Sequence, residues 1–282
     1  DHCYAEGWAK RSGLVQGGPG AGRRRSSPRN WRQPLKWNAD AGRLGVRHRV
    51  FCASLADVFD NQVPEEWRSD VFALIEATPH LDWLLVTKRI GNAKKMMFQA
   101  RGGALPLLHN VWLGITVVNQ EEADRDIPKL LEVPSVIRFL SMEPLLGPVD
   151  FYQTSAAMLS SGHPWRNGPI LGGINWVIAG GESGPNARPS HPNWFRSLRD
   201  QCAEAEVPFF FKQWGEWGEA WGGCTHLIYP DGRVVEGSHE HPDAWKHKTA
   251  ETIARMGKQS SGRLIDGVIH DAFPAPEVES HP

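Results

Sequence analysis

The stretch that decides the fold is a short apolar run that ends in two glycines and a carboxylate. It reads Trp176-Val177-Ile178-Ala179-Gly180-Gly181-Glu182. A run that is apolar at every position is typical of a parallel strand covered on both faces, whereas a half-exposed strand alternates polar and apolar residues. The polar residues that follow such a run are therefore expected at the carboxyl end of a strand.

Similar runs recur at intervals of 25 to 40 residues on either side, and helical patterns lie between several of them. The other five predicted strands are Val50 to Ser54, Trp83 to Thr87, Val111 to Val117, Val136 to Ser141 and Pro208 to Lys212. The predicted helices begin near Pro64, Asn119 and His191. Strand and helix in alternation predict an α/β fold, and we expect a partial or closed parallel (βα) barrel, TIM-like, whose first strand is missing.

Two domains are expected from the change of pattern after Gly215. Residues 1–215 would form the barrel, truncated at its amino terminus, and residues 216–282 a small C-terminal extension or lid that ends in a tail. Asp231-Gly232 between two β-prone runs predicts a hairpin in the extension. Composition predicts a long basic loop over residues 17–47 and a poorly structured insertion over residues 152–173.

Composition excludes several classes of protein. The chain has no run of 18 apolar residues and no signal-peptide pattern, so we expect no membrane association and a cytoplasmic location. Its four cysteines are scattered, which suits a reducing compartment. Cys52 and Cys202 are predicted to be core residues.

Positive charge is concentrated near the amino terminus. Between Lys10 and Arg49, eleven lysines and arginines face one acid, so this segment carries +10 and the rest of the chain carries −11, for a net charge of −1. One hypothesis is that the segment grips nucleic acid, with arginines on phosphates and tryptophans on bases. The candidate residues are Arg23, Arg24, Arg25, Trp31 and Trp37. The alternative is a loop docked on the acidic remainder of the same molecule.

The strand ends carry the candidate active site, because the carboxyl ends of parallel strands meet on one face of a barrel. We expect one pocket from Thr116, Ser141, Glu143, Gly180, Gly181, Glu182 and Lys212. The glycines would let a ligand approach the backbone. Glu143 and Glu182 are either an acid/base pair or a binding site for a cationic substrate or for Lys212, and we expect Lys212 to pair with one of them. Loss of Glu182 is expected to abolish binding while leaving the fold largely intact.

Eight motifs of the chain resemble, in order, those of the phage gp 37/gp 68 family, which is itself similar to the radical S-adenosylmethionine (SAM) superfamily. They start at Asp1, Pro34, Ser54, Leu85, Trp112, Leu140, Ala179 and Phe211, and a ninth resemblance covers residues 262–267. The resemblance implies a phage-related enzyme of unknown substrate that uses a [4Fe–4S] cluster and SAM.

Cys3 is the residue that the resemblance assigns to the metal. It matches the last cysteine of a three-cysteine loop whose other two members would precede Asp1, so the chain as it stands is expected to be inactive and to hold neither group stably. Glu182 would receive the amino group of SAM, although Gly180-Gly181-Glu182 follows a late strand and the corresponding motif of radical SAM enzymes follows an early one.

Overall fold

The computed structural model describes residue 13 and residues 22–104, 107–162, 170–220, 226–237 and 249–275. Six strands form one sheet, in the order in which they occur along the chain. They are β1 (His48–Cys52), β2 (Leu81–Thr87), β3 (Val111–Thr116), β4 (Ile137–Met142), β5 (Trp176–Gly180) and β6 (Phe209–Gln213). The pairs β1–β2, β2–β3, β4–β5 and β5–β6 are parallel. The α/β class is confirmed, and each predicted strand is present within two residues of its predicted bounds.

Seven α-helices occur in the described part of the chain. They are α1 (Pro28–Leu44), α2 (Glu65–Glu76), α3 (Ile90–Ala100), α4 (Gln120–Leu131), α5 (Phe151–Ser160), α6 (Pro192–Glu204) and α7 (Lys258–Ser261). The predicted starts of α2, α4 and α6 are confirmed. Asn119 accepts a hydrogen bond from the backbone N–H of Glu122 (3.0 Å), and His191 accepts one from Asn193 (3.1 Å), so both residues satisfy backbone donors at the start of a helix.

The prediction of a basic loop over residues 17–47 is wrong for its second half, which is the 17-residue helix α1. Ser27 caps the helix by accepting from Asn30, Pro28 occupies its first turn, and Gly45 ends it with φ +66°. Serine and proline at the start and glycine at the end are the ordinary signals of a helix, and the high content of arginine and glycine obscured them.

The prediction of a poorly structured insertion over residues 152–173 is also wrong where the structure describes it. Helix α5 begins after Asp150, whose carboxylate accepts from the N–H groups of Tyr152 and Gln153, and a 3-10 turn covers Ile170–Gly173. Residues 163–169 lie outside the described part.

The contacts divide the chain into two compact units. The described residues up to Ile115, together with Lys129–Arg138, form the first unit, and Thr116–Pro128 with the residues from Phe139 onward form the second. In the first unit, Arg68 is buried and donates to the carbonyls of Val58 (2.9 Å) and Asp60 (3.1 Å), which fixes the loop between β1 and α2.

The core of the second unit includes an aromatic cluster that joins α6 to β6. Phe195 lies against Phe211 (5.0 Å between ring centroids) and Trp214 (5.2 Å), both edge to face. All three rings are buried.

The C-terminal extension contributes two small antiparallel sheets to the second unit. They are built from β7 (Trp217–Glu219), β8 (His226–Ile228), β9 (Val234–Glu236) and β10 (Glu251–Arg255), and from β11 (Leu264–Ile265) and β12 (Val268–Ile269). The predicted hairpin is confirmed as β8–β9, with Gly232 at φ +85° in its turn.

The prediction of a tail is wrong for the last described residues. Phe273 packs on Trp176 (4.8 Å between ring centroids) and on Phe210 (5.4 Å), and the indole N–H of Trp176 donates to the carbonyl of Ala272. These ring contacts and the hydrogen bond hold the segment against β5 and β6.

Candidate functional site

Glu143 and Lys212 form an ion pair at the carboxyl ends of β4 and β6. The ammonium nitrogen lies 2.8 Å from Glu143 Oε2. The other carboxylate oxygen accepts from the amide of Gln213 (3.0 Å), which is buried and also donates to Ser183 Oγ (3.0 Å). The predicted pairing of Lys212 with Glu143 or Glu182 is therefore confirmed for Glu143, although β5 lies between their two strands. Gln213 fixes the direction of the Glu143 carboxylate.

Glu182 is engaged by a residue that the sequence did not suggest. Its side chain is 7% exposed and accepts three hydrogen bonds from Arg188: from the backbone N–H (2.7 Å), from Nε (2.9 Å) and from Nη2 (2.7 Å). The hydrogen bond to this carboxylate raises the pKa of Arg188 above its ordinary value. A signal was available, because Arg188 follows Glu182 by six residues across a glycine- and proline-containing turn.

This pairing tests whether SAM would fit at Glu182. The carboxylate of Glu182 is 7% exposed and already accepts three hydrogen bonds from Arg188, so an ammonium group would have to displace the guanidinium to reach it. The arrangement does not fit the role that the resemblance gave to Glu182. It also gives Glu182 a structural role, because a buried carboxylate depends on its cation.

The two glycines of the strand end lie against the chain's own backbone. A Cβ atom on Gly181 would lie 1.8 Å from the carbonyl oxygen of Trp214, and one on Gly180 would lie 3.3 Å from that of Gln213. Gly181 N–H donates to the Gln213 carbonyl (2.9 Å). Close approach of two chain segments thus accounts for these glycines, where the sequence suggested the approach of a ligand.

The remaining two predicted rim residues lie on neighbouring backbone segments. Thr116 is buried at the end of β3, and Ser141 is half-buried on β4, two residues before Glu143. The N–H of Val117 donates to the carbonyl of Ser141 (3.1 Å), which holds the two strand ends together. A common pocket for the whole set stays a prediction.

The strand ends of the first unit are joined by a carboxylate. Asp57 accepts hydrogen bonds from Thr87 Oγ1 (2.9 Å), from the backbone N–H of Lys88 (3.1 Å) and from Arg89 Nη1 (3.3 Å). It also accepts from the N–H of Phe59 (2.9 Å). Several donors on one carboxylate hold the loop after β1 against the end of β2. The motif that starts at Ser54 and contains Asp57 therefore has a structural explanation.

Two of the arginines proposed to grip nucleic acid form ion pairs within the first unit. Arg23 lies 2.7 Å from Asp60, and Arg25 lies 2.7 Å from Asp70. The guanidinium of Arg25 also stacks over the ring of Trp31 at 4.0 Å. Both arginines therefore behave as the alternative hypothesis predicts, in which the segment docks on acidic residues of the same molecule. Arg24 and Trp37 are exposed.

The cysteines divide into two groups. Burial raises the pKa of Cys52 and of Cys202 to about 12, which disfavours both thiolates. The predicted core position is confirmed for Cys202, which is buried, whereas Cys52 is half-buried on the edge strand β1. Cys3, the predicted metal ligand, and Cys224 lie outside the described residues. Within the described ranges, no three histidine, cysteine, aspartate or glutamate side chains are grouped in a way that could hold a metal ion.

The fold and these strand ends define a parallel α/β protein with a charged site at the carboxyl ends of β4, β5 and β6. The chain belongs to a family described as a protein of unknown function (DUF5131), whose model matches residues 1–274. No curated protein and no solved structure matches the chain. No helix in the described part of the chain has the length and apolar character needed to cross a membrane.

Proposed function

We propose that the protein is an enzyme that acts at the carboxyl ends of β4, β5 and β6 and binds an anionic group of its substrate through Lys212 and Arg188. The observation that carries the proposal is the order of burial. The side chains of Lys212 and Arg188 are 51% and 49% exposed, whereas their partners Glu143 and Glu182 are 20% and 7% exposed. Each glutamate lies behind its cation and fixes the direction of that cation's side chain. The remaining N–H donors of Lys212 and Arg188 then face solvent, where a carboxylate or phosphate of the substrate could accept hydrogen bonds from them.

Within this proposal, Glu143 is the group that moves a proton. It is less buried than Glu182, and Lys212 and Gln213 hold one oxygen each. A carboxylate held in this way can exchange a proton with a bound substrate when Lys212 turns to the substrate anion. Glu182 acts by positioning Arg188 and makes no contact with the substrate.

The finer part of the proposal rests on the resemblance. It comprises a TIM-like barrel, a phage-related cytoplasmic protein, and radical SAM-like activity with a [4Fe–4S] cluster for which Cys3 supplies one thiolate. Three thiolates suit such a cluster because soft sulfur ligands neutralise the iron charge. No step is assigned to SAM, since Arg188 occupies the carboxylate expected to receive it.

The anion site is tested with inorganic pyrophosphate and succinate as probes in titration calorimetry. Lys212→Met is expected to weaken binding of at least one probe about tenfold or more, because a hydrogen bond to a charged group contributes roughly 1.5–3 kcal/mol. Lys258→Met removes an exposed lysine of α7 and is the matched control, expected to bind as the wild type does. Equal affinities for wild type and Lys212→Met, or no binding of either probe, would rule the anion site out.

The cluster is tested by anaerobic reconstitution of a chain extended to include the two preceding cysteines that the resemblance implies. About four irons per chain are expected, with loss of the iron in Cys3→Ala. Cys52→Ala is the control and should keep its iron, because the raised pKa of Cys52 disfavours the thiolate that a cluster needs. An iron-free wild type, or an iron content unaffected by Cys3→Ala, would contradict the radical SAM hypothesis. The anion site would not be affected by that outcome, because calorimetry tests it separately.

A further inference from the structure

Helix α1 carries four cations along one side. Arg29, Arg32, Lys36 and Arg43 are separated by three, four and seven residues, spacings that place all of them within about 60° around the helix axis. All four are exposed, and Arg43 is 75% exposed. The opposite side of the helix is buried through Pro34 and Ala41. We call Arg29, Arg32, Lys36 and Arg43 the basic stripe.

The stability of α1 does not explain the stripe. The first turn of a helix is the positive end of its dipole, which favours acids there, yet α1 has no acid in its first turn and Arg29 lies within it. The single acid of the helix is Asp40, which pairs with Arg43 at 3.0 Å. Arg29, Arg32 and Lys36 therefore lie on successive turns, with rises of roughly 4.5 and 6 Å between them, on a helix whose single acid pairs with Arg43.

We propose that the basic stripe is a docking surface for the phosphate backbone of nucleic acid. Duplex DNA presents closely spaced negative charges, and a row of guanidinium and ammonium groups along one side of a helix is complementary to such a charge array. The surface differs from the arginines first suspected, since Arg23 and Arg25 are paired with aspartates. The proposal does not rest on the anion site of the second unit.

The exposed side of α1 favours nucleic acid over a membrane. A helix that lies on a lipid surface inserts one broad apolar face, but the exposed leucines of α1 lie on opposite flanks of the stripe, Leu35 (46% exposed) on one flank and Leu44 (63%) on the other. The side opposite the stripe is buried in the protein. Trp37, 38% exposed, lies beside the stripe, outside its 60° arc. Phosphate contacts are thus expected to supply the affinity, with little dependence on base sequence.

The test measures binding of a 20-base-pair duplex by fluorescence anisotropy over a range of salt concentrations. The triple variant Arg29→Gln, Arg32→Gln, Lys36→Gln is expected to bind at least about tenfold more weakly at low salt. Its slope of log affinity against log salt should be smaller by about 2–3, since each lost phosphate contact removes about 0.9. Glutamine keeps the helix propensity and removes charge from the positive end of the dipole, so the variant should be at least as stable as the wild type.

A second triple variant, Lys94→Gln, Lys95→Gln, Lys258→Gln, removes the same charge from exposed lysines of α3 and α7. It should bind within about twofold of the wild type after correction for net charge. An equal loss in both triple variants, or no binding by the wild type at low salt, would overturn the proposal. Tighter binding of polyglutamate or of anionic phosphatidylserine vesicles than of the duplex would overturn it in favour of an acidic protein or a membrane.

Discussion

Gly181→Ala is expected to lower the free energy of unfolding by about 3 kcal/mol, the upper end of the cost of overpacking. The added methyl would lie 1.8 Å from the carbonyl oxygen of Trp214 and 2.7 Å from its carbonyl carbon, so a stretch of backbone has to move. The same crossing includes the hydrogen bond from Glu216 N–H to the Glu182 carbonyl (2.9 Å). Urea denaturation followed by circular dichroism measures the change.

Gly91→Ala is the matched control for this substitution. Gly91 is exposed on α3, and a Cβ atom there would have no neighbour within 4 Å. Alanine should stabilise the protein there by up to about 1 kcal/mol through helix propensity. If Gly181→Ala were no more destabilising than Gly91→Ala, close approach of the Trp214 backbone would not be the reason for a glycine at position 181. The explanation that a ligand approaches this glycine would then regain support.

The six strands could be predicted because each depends on a local property. A continuous apolar run such as residues 176–179 is stable inside a sheet that is covered on both faces. This preference depends on the run itself and not on distant parts of the chain. Helix α1 was missed because its local signals are weak. Its signals, Ser27, Pro28 and Gly45, are three residues spread over nineteen, and the arginines between them dominate the composition.

The site could be predicted only in part, because its pairings depend on tertiary structure. The sequence places Glu143 and Lys212 at the ends of two strands, and strand order brings them within 2.8 Å. The six-residue separation of Glu182 and Arg188 hints at their pairing but does not establish it, because Arg188 lies in a turn whose path no periodicity predicts. The sequence also cannot distinguish a glycine that a ligand approaches from one that another backbone segment approaches. Gly181 is of the second kind, because the Trp214 backbone lies against it.

Arg188→Met is expected to destabilise the protein by about 3 kcal/mol at pH 7, because it leaves the buried carboxylate of Glu182 without its guanidinium. Methionine retains the length of the side chain and the backbone N–H that donates to Glu182. The double variant Arg188→Met, Glu182→Gln should recover a large part of the loss, since it removes the buried charge as well. Chemical denaturation of both variants and of the wild type measures the difference.

The pH dependence separates a buried charge from a simple loss of packing. Without Arg188, burial raises the pKa of the Glu182 carboxyl in the folded protein above the unfolded value of about 4.3. The folded state then binds the proton more tightly, so stability recovers as the pH falls through the folded pKa and is fully regained below the unfolded one. The single variant should therefore approach the double variant as the pH is lowered from 7 towards 5. A gap that stays constant over this range would mean that packing, and not the charge of Glu182, is what Arg188 supports.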